Sequence, residues 1–452
     1  MVPILANRYA QIWEAHRPEF SALVRIPSVY DKQSASAAAP CGAPVARALE
    51  WMKTLCAREG FVIREYDGRA FSASWGAGER IDIVSHLDVV GVSDDWAEDP
   101  FSGSVHDGFV HGRGTQDMKA GAYLTFLALK LAKDSGIVPN REIRLVYGTD
   151  EERTMDDMRR YVEQAGLPAF AFTPDGAFPM INGEKGALMW TVEGAYSGAV
   201  RALTGGIQPN VIPPEAAAVL DSSAGICAED AVQRAAQLGV TAQIGPTPQG
   251  LLVHVRGKAA HASKPEAGRN ALADLLRLLA ALCEEDEIRR LAAVLGDAYG
   301  RGAGIEEELT PMGRLTMNLG VAAIEEGRLR FLVDCRYPYG LDSAALTAAL
   351  ARRLPGYGVS LSYDDPPTFT PEDDPYVLAL KEAYTEATGR ECTAAVSGGV
   401  SYSKVFGHCV TFGAVAEGSE LLAHQENEKI AEADCVKALE IYHRAILKLA
   451  EK

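Results

Sequence analysis

Histidine and carboxylate residues recur in this chain in short, widely separated groups whose spacing suits metal-assisted hydrolysis. His86-Leu-Asp88 closes the β-rich run Ile81-Asp-Ile-Val-Ser-His86. Two residues apart on an extended segment, these side chains point the same way, so the aspartate can hold the imidazole nitrogen opposite a metal. Gly112-Arg-Gly-Thr-Gln-Asp117-Met-Lys is a glycine-rich turn leading into a helix. Asp117 is there either as a helix-start residue or as a carboxylate displayed where backbone approaches closely. Gly148-Thr-Asp150-Glu151-Glu152 follows a strand. Its acids either complement a helix dipole or give a metal hydrolase one ligand and one general base. Thr173-Pro-Asp175-Gly is a turn by its own chemistry, and His424 in Leu421-Leu-Ala-His424-Gln-Glu-Asn-Glu reads alone as structural. Singly, none of these groups decides the chemistry.

The elements that must position them read as an α/β layer. A helix from Arg8 through Trp13 and a Ser/Ala/Pro-rich loop near Gln33 to Pro44 precede a helix over 44–60 and a strand over 61–66. Apolar residues at helical spacing mark Ala120 to Lys133, and Ile143-Arg-Leu-Val-Tyr is a further short strand. Strands alternating with helices predict a largely parallel sheet, with chemistry at the carboxyl ends of its strands, where His86 and Glu151 fall. From about Glu184 the pattern turns to strands over 189–193, 251–256 and 329–335 around an Ala/Leu-rich helix near 270–283, an α+β insert. Helix-then-strand alternation returns at Tyr376. The expected organisation is a split catalytic domain, 1–184 and 376–452, interrupted by an insert at 185–375.

At 452 residues the chain exceeds what one core usually serves, so two domains are expected. A formal charge of −17 argues against a nucleic-acid partner, which usually leaves a basic footprint. The first twenty residues lack the basic and uninterrupted apolar regions of a secretory signal, and no apolar run reaches the roughly 18 residues a membrane span needs. The eight cysteines are scattered without a CxxC pair, as reduced thiols of a cytoplasmic protein would be.

Taken in order, HxD, GRGTxD, DEE, the PD turn and the distant C-terminal histidine resemble the M20 family of metallopeptidases, and within it the bacterial dipeptidase group related to PepV. The likeness runs through nearly the whole chain, including Asp95-Trp-Ala-Glu-Asp-Pro-Phe-Ser-Gly. The resemblance implies two divalent ions: His86 and Asp175 on one, Glu152 and His424 on the other, and Asp117 bridging. It implies further that Asp88 orients His86, that Glu151 is the general base, and that the Asp117-Met118 peptide is cis. Two ions bring +4, and three carboxylates with a bridging hydroxide bring −4, a neutral set suited to a partly buried site. Nitrogen and oxygen ligands without thiolate fit zinc first, with manganese or cobalt as alternatives.

The insert then becomes a lid carrying substrate residues. Gly257-Lys-Ala-Ala-His261 resembles the family's lid histidine motif, which makes His261 an oxyanion donor; Gly205-Gly-Ile-Gln-Pro-Asn210 resembles the lid strand whose asparagine faces substrate. Asp334-Cys-Arg336 resembles the arginine strand, where the guanidinium either grips a substrate carboxylate or is salt-bridged structurally. Ser397-Gly398-Gly399-Val-Ser-Tyr402-Ser-Lys404 aligns with a substrate loop usually ending Thr-Tyr-Ala-Arg. Lys404 departs from that arginine, and a point charge does not replace a planar fork. Ala120 is a smaller departure. An insert of this length matches a doubled lid supplying its own histidine, hence a monomer.

The expected function is a cytoplasmic di-metal peptidase cutting dipeptides with a free N-terminus, a metal-bridging hydroxide attacking while Glu151 moves the proton. Its alternative is an N-acyl amino acid deacylase of the acetylornithine deacetylase or succinyl-diaminopimelate desuccinylase type. A metal-bound module that recognises peptides without cleaving them is the reading from another class. Partners reduce to a small peptide substrate, with neither nucleic acid nor membrane.

Overall fold

A computed structural model describes residues 2–451. The chain forms two compact units: one runs through Gly183 and resumes over Thr368–Ala395 and from Ser401, and the other is Glu184–Pro367 with Val396–Val400.

The first unit is a mixed α/β layer. Its nine-stranded sheet runs, edge to edge, Val62–Tyr66, Ala70–Trp75, Arg141–Gly148, Glu79–His86, Phe170–Thr173, Cys409–Thr411, Met180–Glu184 and Thr368–Phe369, with Ala394–Ser397 beside Met180–Glu184. The four strands from Arg141–Gly148 to Cys409–Thr411 are parallel. Parallel strands covered on both faces need apolar residues on both, and Ile81, Ile83, Val84, Leu145, Val146, Phe170 and Phe172 are all buried. Antiparallel strands flank them. Helix Lys119–Asp134 is buried almost all round through its first turns, which its Ala, Gly and Leu content permits without any buried charge except Lys119. Helix Glu432–Glu451 packs on it and on Pro375–Thr388. The latter starts at Pro375, with the Asp374 carboxylate accepting from Tyr376 and Val377 amides, and stops at Gly389 in the left-handed region, φ 72°.

The second unit has its own core and one eight-stranded antiparallel sheet, in the order Ala242–Thr247, Gly250–Arg256, Glu215–Leu220, Val200–Gly205, Thr316–Glu325, Arg328–Tyr337, Gly186–Ala195, Gly358–Asp365. Alternation sets its buried face: Leu251, Val253 and Val255 of one strand meet Ala216, Ala218 and Leu220 of the next on the inside. Two four-stranded halves join through only two residue pairs, Thr204↔Ala323 and Gly205↔Ala322. Asn270 and Asp342 cap helices Ala271–Leu282 and Ser343–Arg353 by accepting backbone N–H bonds. Among the described residues no helix is long and apolar enough to cross a membrane.

Candidate active site and metal centre

Three adjacent parallel strands end together, and each delivers acids or a histidine from its carboxyl end. His86 is the last residue of Glu79–His86 and pairs in register with Gly148, so the Asp150-Glu151-Glu152 turn emerges alongside it. Asp175 follows Phe170–Thr173. The His86 ring is fully buried; its Nδ1 donates to the Asp88 backbone oxygen at 2.9 Å, which turns Nε2 into the site as a lone-pair donor. Nε2 lies 3.1 Å from Asp117 Oδ1 and 3.7 Å from Asp175 Oδ2, yet it makes no aligned hydrogen bond. On the other side, His424 Nε2 is 3.0 Å from Asp117 Oδ2 and 3.1 Å from Glu152 Oε2. Asp117 therefore turns one oxygen to each histidine, and one donor atom each from His86, Asp117 and Glu152 lie within 4.8 Å of one another.

This donor set fits a divalent cation. A buried imidazole nitrogen without a hydrogen bond, facing carboxylates, is costly unless a cation occupies the space between. The carboxylates outnumber the imidazoles, and they push His424 up to about 10 through Asp117 and then Glu152. Burial, and then Asp175, Glu152 and Asp117, hold the Glu151 carboxyl well above the usual carboxylate range against the opposing pull of His86. A carboxyl with raised basicity is what proton transfer near neutral pH requires.

Buried groups behind the ligands fix their aim. Asp88 contributes its carbonyl to His86, while its carboxylate, 3.6 Å from Nδ1, accepts from the Glu152 amide at 3.1 Å. The aspartate thus ties both halves of the centre, a wider job than the side-chain contact expected of it. Asp157 accepts from the Thr149 and Asp150 amides, and from the Tyr402 hydroxyl, steadying the acidic turn. Gly148 is needed there, since a Cβ would fall on both Tyr402 Oη and Asp157 Oδ2. Fully buried Glu428 takes Gly114 N and Arg113 Nη1 on one oxygen and Gln116 N and Asp117 N on the other. It binds the Asp117 loop to the segment carrying His424. His424 itself sits at φ 63°, a conformation that non-glycine residues keep where surroundings enforce it. The Asp117-Met118 peptide is cis.

Tyr402 and Lys404 belong to the same unit. Tyr402 is buried, its ring edge against His86 at a 6.1 Å centroid separation. That places it behind the histidine rather than facing a substrate, as the loop alignment had suggested. Lys404 is half-buried in the short helix Ser403–Phe406.

The second unit gathers its own group. Ser263 N donates to His261 Nδ1 at 3.2 Å, so that nitrogen is unprotonated and Nε2 carries the hydrogen. Burial and then Arg336 lower the His261 pKa, keeping the ring neutral. Arg336 gives its Nε and Nη2 edge to Asp334, at 2.9 and 2.8 Å, and Nη1 reaches the Gly398 oxygen at 3.3 Å. The fork expected for a substrate carboxylate is therefore half committed. Gly398 lies so close to Ser263 that a Cβ would come within 2.6 Å of its Cβ, and the Gly399 amide donates to Ser397 Oγ. The Asn210 carbonyl accepts from Ala262 N at 2.9 Å, and Val211 forms an isolated β-bridge with His261, so the Asn210 turn brackets the histidine.

Residues 83–448, from the His86 strand to the last helix, match the pattern of peptidase family M20/M25/M40. The chain belongs to this family. It is 29% identical over 454 residues to "Putative dipeptidase SSP1012" of Staphylococcus saprophyticus, covering 95% of this chain and 96% of that one. It is 28% identical over 446 residues to "Putative dipeptidase YtjP" of Bacillus subtilis, with the same coverages. The fold is shared with human carnosine dipeptidase 1, at a TM-score of 0.57 and 16% identity over 98% of this chain and 99% of that one.

An M20/M25/M40 peptidase is a hydrolase of peptide bonds, and the five residues expected to hold metal lie at one end of one sheet. Sequence reading did not single out Glu428 or Asp157. Glu428 stands four residues after His424, in the same Gln-Glu-Asn-Glu run, and only its burial distinguishes it from Glu426. Asp157 lies on the first turn of helix Asp156–Ala165, where an acid is ordinary.

Proposed function

We propose that this peptidase hydrolyses dipeptides bearing a free N-terminus, using two divalent ions of which zinc is the leading candidate and manganese or cobalt the alternatives. The reading is carried by the Asp117 carboxylate, shared between His86 and His424 with Glu151 beside them. His86 and Asp175 would hold one ion and Glu152 and His424 the other, with Asp117 between. When bound, such ions acidify water and polarise a carbonyl. Glu151 takes the proton of the attacking water and returns it to the leaving amine. Asp88, Asp157 and Tyr402 keep His86 and the acidic turn aimed. His261, with hydrogen on Nε2, is the donor for the developing oxyanion. Asn210, Arg336 through its Nη1 edge, the Gly398-Gly399 pair and Lys404 are assigned to substrate recognition. The dipeptidase names of the two bacterial relatives support the substrate class.

The test is metal-loaded protein offered free dipeptides, N-acetyl amino acids, N-acetylornithine and N-succinyl-diaminopimelate, with products read by mass spectrometry. Cleavage of dipeptides alone is expected. Cleavage of acylated amino acids alone replaces the proposal with a deacylase, and no cleavage replaces it with a binding module.

A further inference from the structure

A second group of side chains with metal-ligand chemistry lies on and beside the small sheet formed by Val105–His106, Phe109–His111 and Lys429–Ala431. We infer that Glu98, His106 and His111 bind one divalent transition-metal ion of the zinc class, sharing no ligand with the His86–His424 centre.

The sequence builds this arrangement locally. Asp107-Gly108, with φ of 53° and 79°, closes a two-residue hairpin, the turn that Asp-Gly favours. Register His106↔Phe109 then puts Ser104, His106, Phe109 and His111 on one face, by the two-residue alternation of strands. The two imidazoles lie on that face as a parallel stack, centroids 3.9 Å apart and planes at 12°. Glu98 reaches over from the preceding loop. Its Oε2 accepts from the Ser104 hydroxyl at 3.0 Å, and its Oε1 lies 2.9 Å from His106 Nε2. One donor atom from each of the three residues falls within 4.8 Å of the others.

Partners outside the trio complete the pattern of a metal site. Asp107 Oδ2 lies 3.1 Å from His106 Nδ1, the carboxylate–histidine arrangement that fixes a tautomer and turns Nε2 toward an ion. A proton between His106 and Glu98 satisfies those two atoms but leaves the third residue over: His111 Nε2 is buried with no hydrogen bond. Glu98 and His111 both line a cavity of about 140 Å³, together with Trp96, Asp99 and Lys429. The Lys429 ammonium is drawn over the Phe109 ring at 4.6 Å, and the Arg113 guanidinium lies over the Trp96 ring at 5.1 Å. Two imidazoles and one carboxylate with a fourth position for water suit zinc, nickel or copper, and are poor for calcium or magnesium, which want oxygen. The ion would pin the loop at 96–99 to the hairpin. That hairpin runs directly into Gly112, whose amide bonds the Glu428 oxygen at 2.9 Å.

The experiment is equilibrium dialysis of the full chain against Zn2+, with metal content by mass spectrometry, on wild type, H106Q/H111Q and H424A. Wild type is expected to hold one equivalent more than H106Q/H111Q, and H424A to keep the equivalent that H106Q/H111Q loses. Zn2+ added after the main centre is filled raises the Tm of wild type by several degrees and leaves H106Q/H111Q unmoved. Dipeptide turnover by H106Q/H111Q is unchanged. Equal zinc content in wild type and H106Q/H111Q overturns the inference, leaving a histidine–carboxylate ion pair only. Loss of zinc in H424A alone bears on the catalytic centre, so the two readings fail separately.

Discussion

At the residue scale the centre divides labour between groups that would meet metal and groups that aim them. Glu151 has no place among the ligand contacts, and its carboxyl is held well above the usual range by burial and neighbouring acids. A Glu151→Gln variant is therefore expected to retain metal content and lose roughly 10²- to 10⁴-fold in turnover, the span of general acid–base contributions. Wild-type turnover in metal-replete E151Q would remove Glu151 from the mechanism. Glu428 makes the opposite prediction. It satisfies four donors of the Asp117 loop from a fully buried position, so Glu428→Gln leaves amide hydrogens facing the loop's own N–H groups. Metal content and turnover should fall together, with a stability loss of about 1–3 kcal/mol; unchanged zinc binding would refute the role. The five proposed ligands and Glu151 were legible only together, because the ordered set HxD, GRGTxD, DEE, PD turn and C-terminal histidine resembles the M20 pattern, whereas each group alone had an ordinary structural reading. Glu428 and Asp157 were not, because an acid in a polar run looks solvated until the fold buries it.

Elements position these residues through close approach, and one glycine shows how tightly. A Cβ on Gly121 would lie 2.3 Å from the Pro174 carbonyl oxygen, so helix Lys119–Asp134 sits directly against the Thr173-Pro174-Asp175 turn. Gly121→Ala must displace the helix start or the Asp175 turn, at about 1–3 kcal/mol for overpacking. Titration calorimetry should show weakened metal binding in G121A, while Gly91→Ala, with nothing within 4 Å, serves as the neutral control. Equal binding in both variants would mean the turn yields without moving Asp175. The last helix carries a pH dependence. Burial, then Arg8 and Arg444, lower His443 to about 4, and its Nδ1 lies 2.8 Å from the Tyr9 hydroxyl. The unfolded chain takes up this proton below about 6.5 and the folded chain only near 4, so stability falls as pH drops through that window, by about 1–3 kcal/mol from this group. Denaturant unfolding of His443→Phe between pH 7 and 4 should show a shallower decline than wild type; parallel profiles would exclude the group. Helices and parallel strands were readable from apolar spacing, as the 44–60 helix (found at Ala43–Arg58) illustrates. The antiparallel flanks were not, because strand order is decided by partners far away in sequence. Nor was the return of Val396–Val400 to the second unit, a five-residue stretch with two glycines and no periodicity.

At the scale of the whole molecule, the two large sheets, followed along their main paths, end in four edge strands, and such edges invite pairing with another chain. Each is blunted differently. In the first unit Val62–Tyr66 turns Arg64 and Glu65 to solvent, and the opposite edge, Thr368–Phe369, is only two residues long. In the second unit Ala242–Thr247 contains Pro246, which lacks the N–H an added strand would need. The far edge, Gly358–Asp365, has a register shift between Leu361 and Tyr363 and ends in two aspartates. A charge of −17 adds mutual repulsion between copies. None of the four edges is a flat, apolar template, and a monomer of 48.4 kDa is the expected solution state. Light scattering behind size exclusion should return that mass at all concentrations from micromolar upward, and a stable dimer mass would refute it. The edge argument has its own handle in Pro246→Val. If the missing donor protects the second sheet, this variant should gain concentration-dependent mass at high protein while its core, built on the inward face of the neighbouring strand, stays intact. A strictly monomeric P246V would shift the protection to charge alone, and raising the salt to screen that charge would then produce the association that the proline change did not.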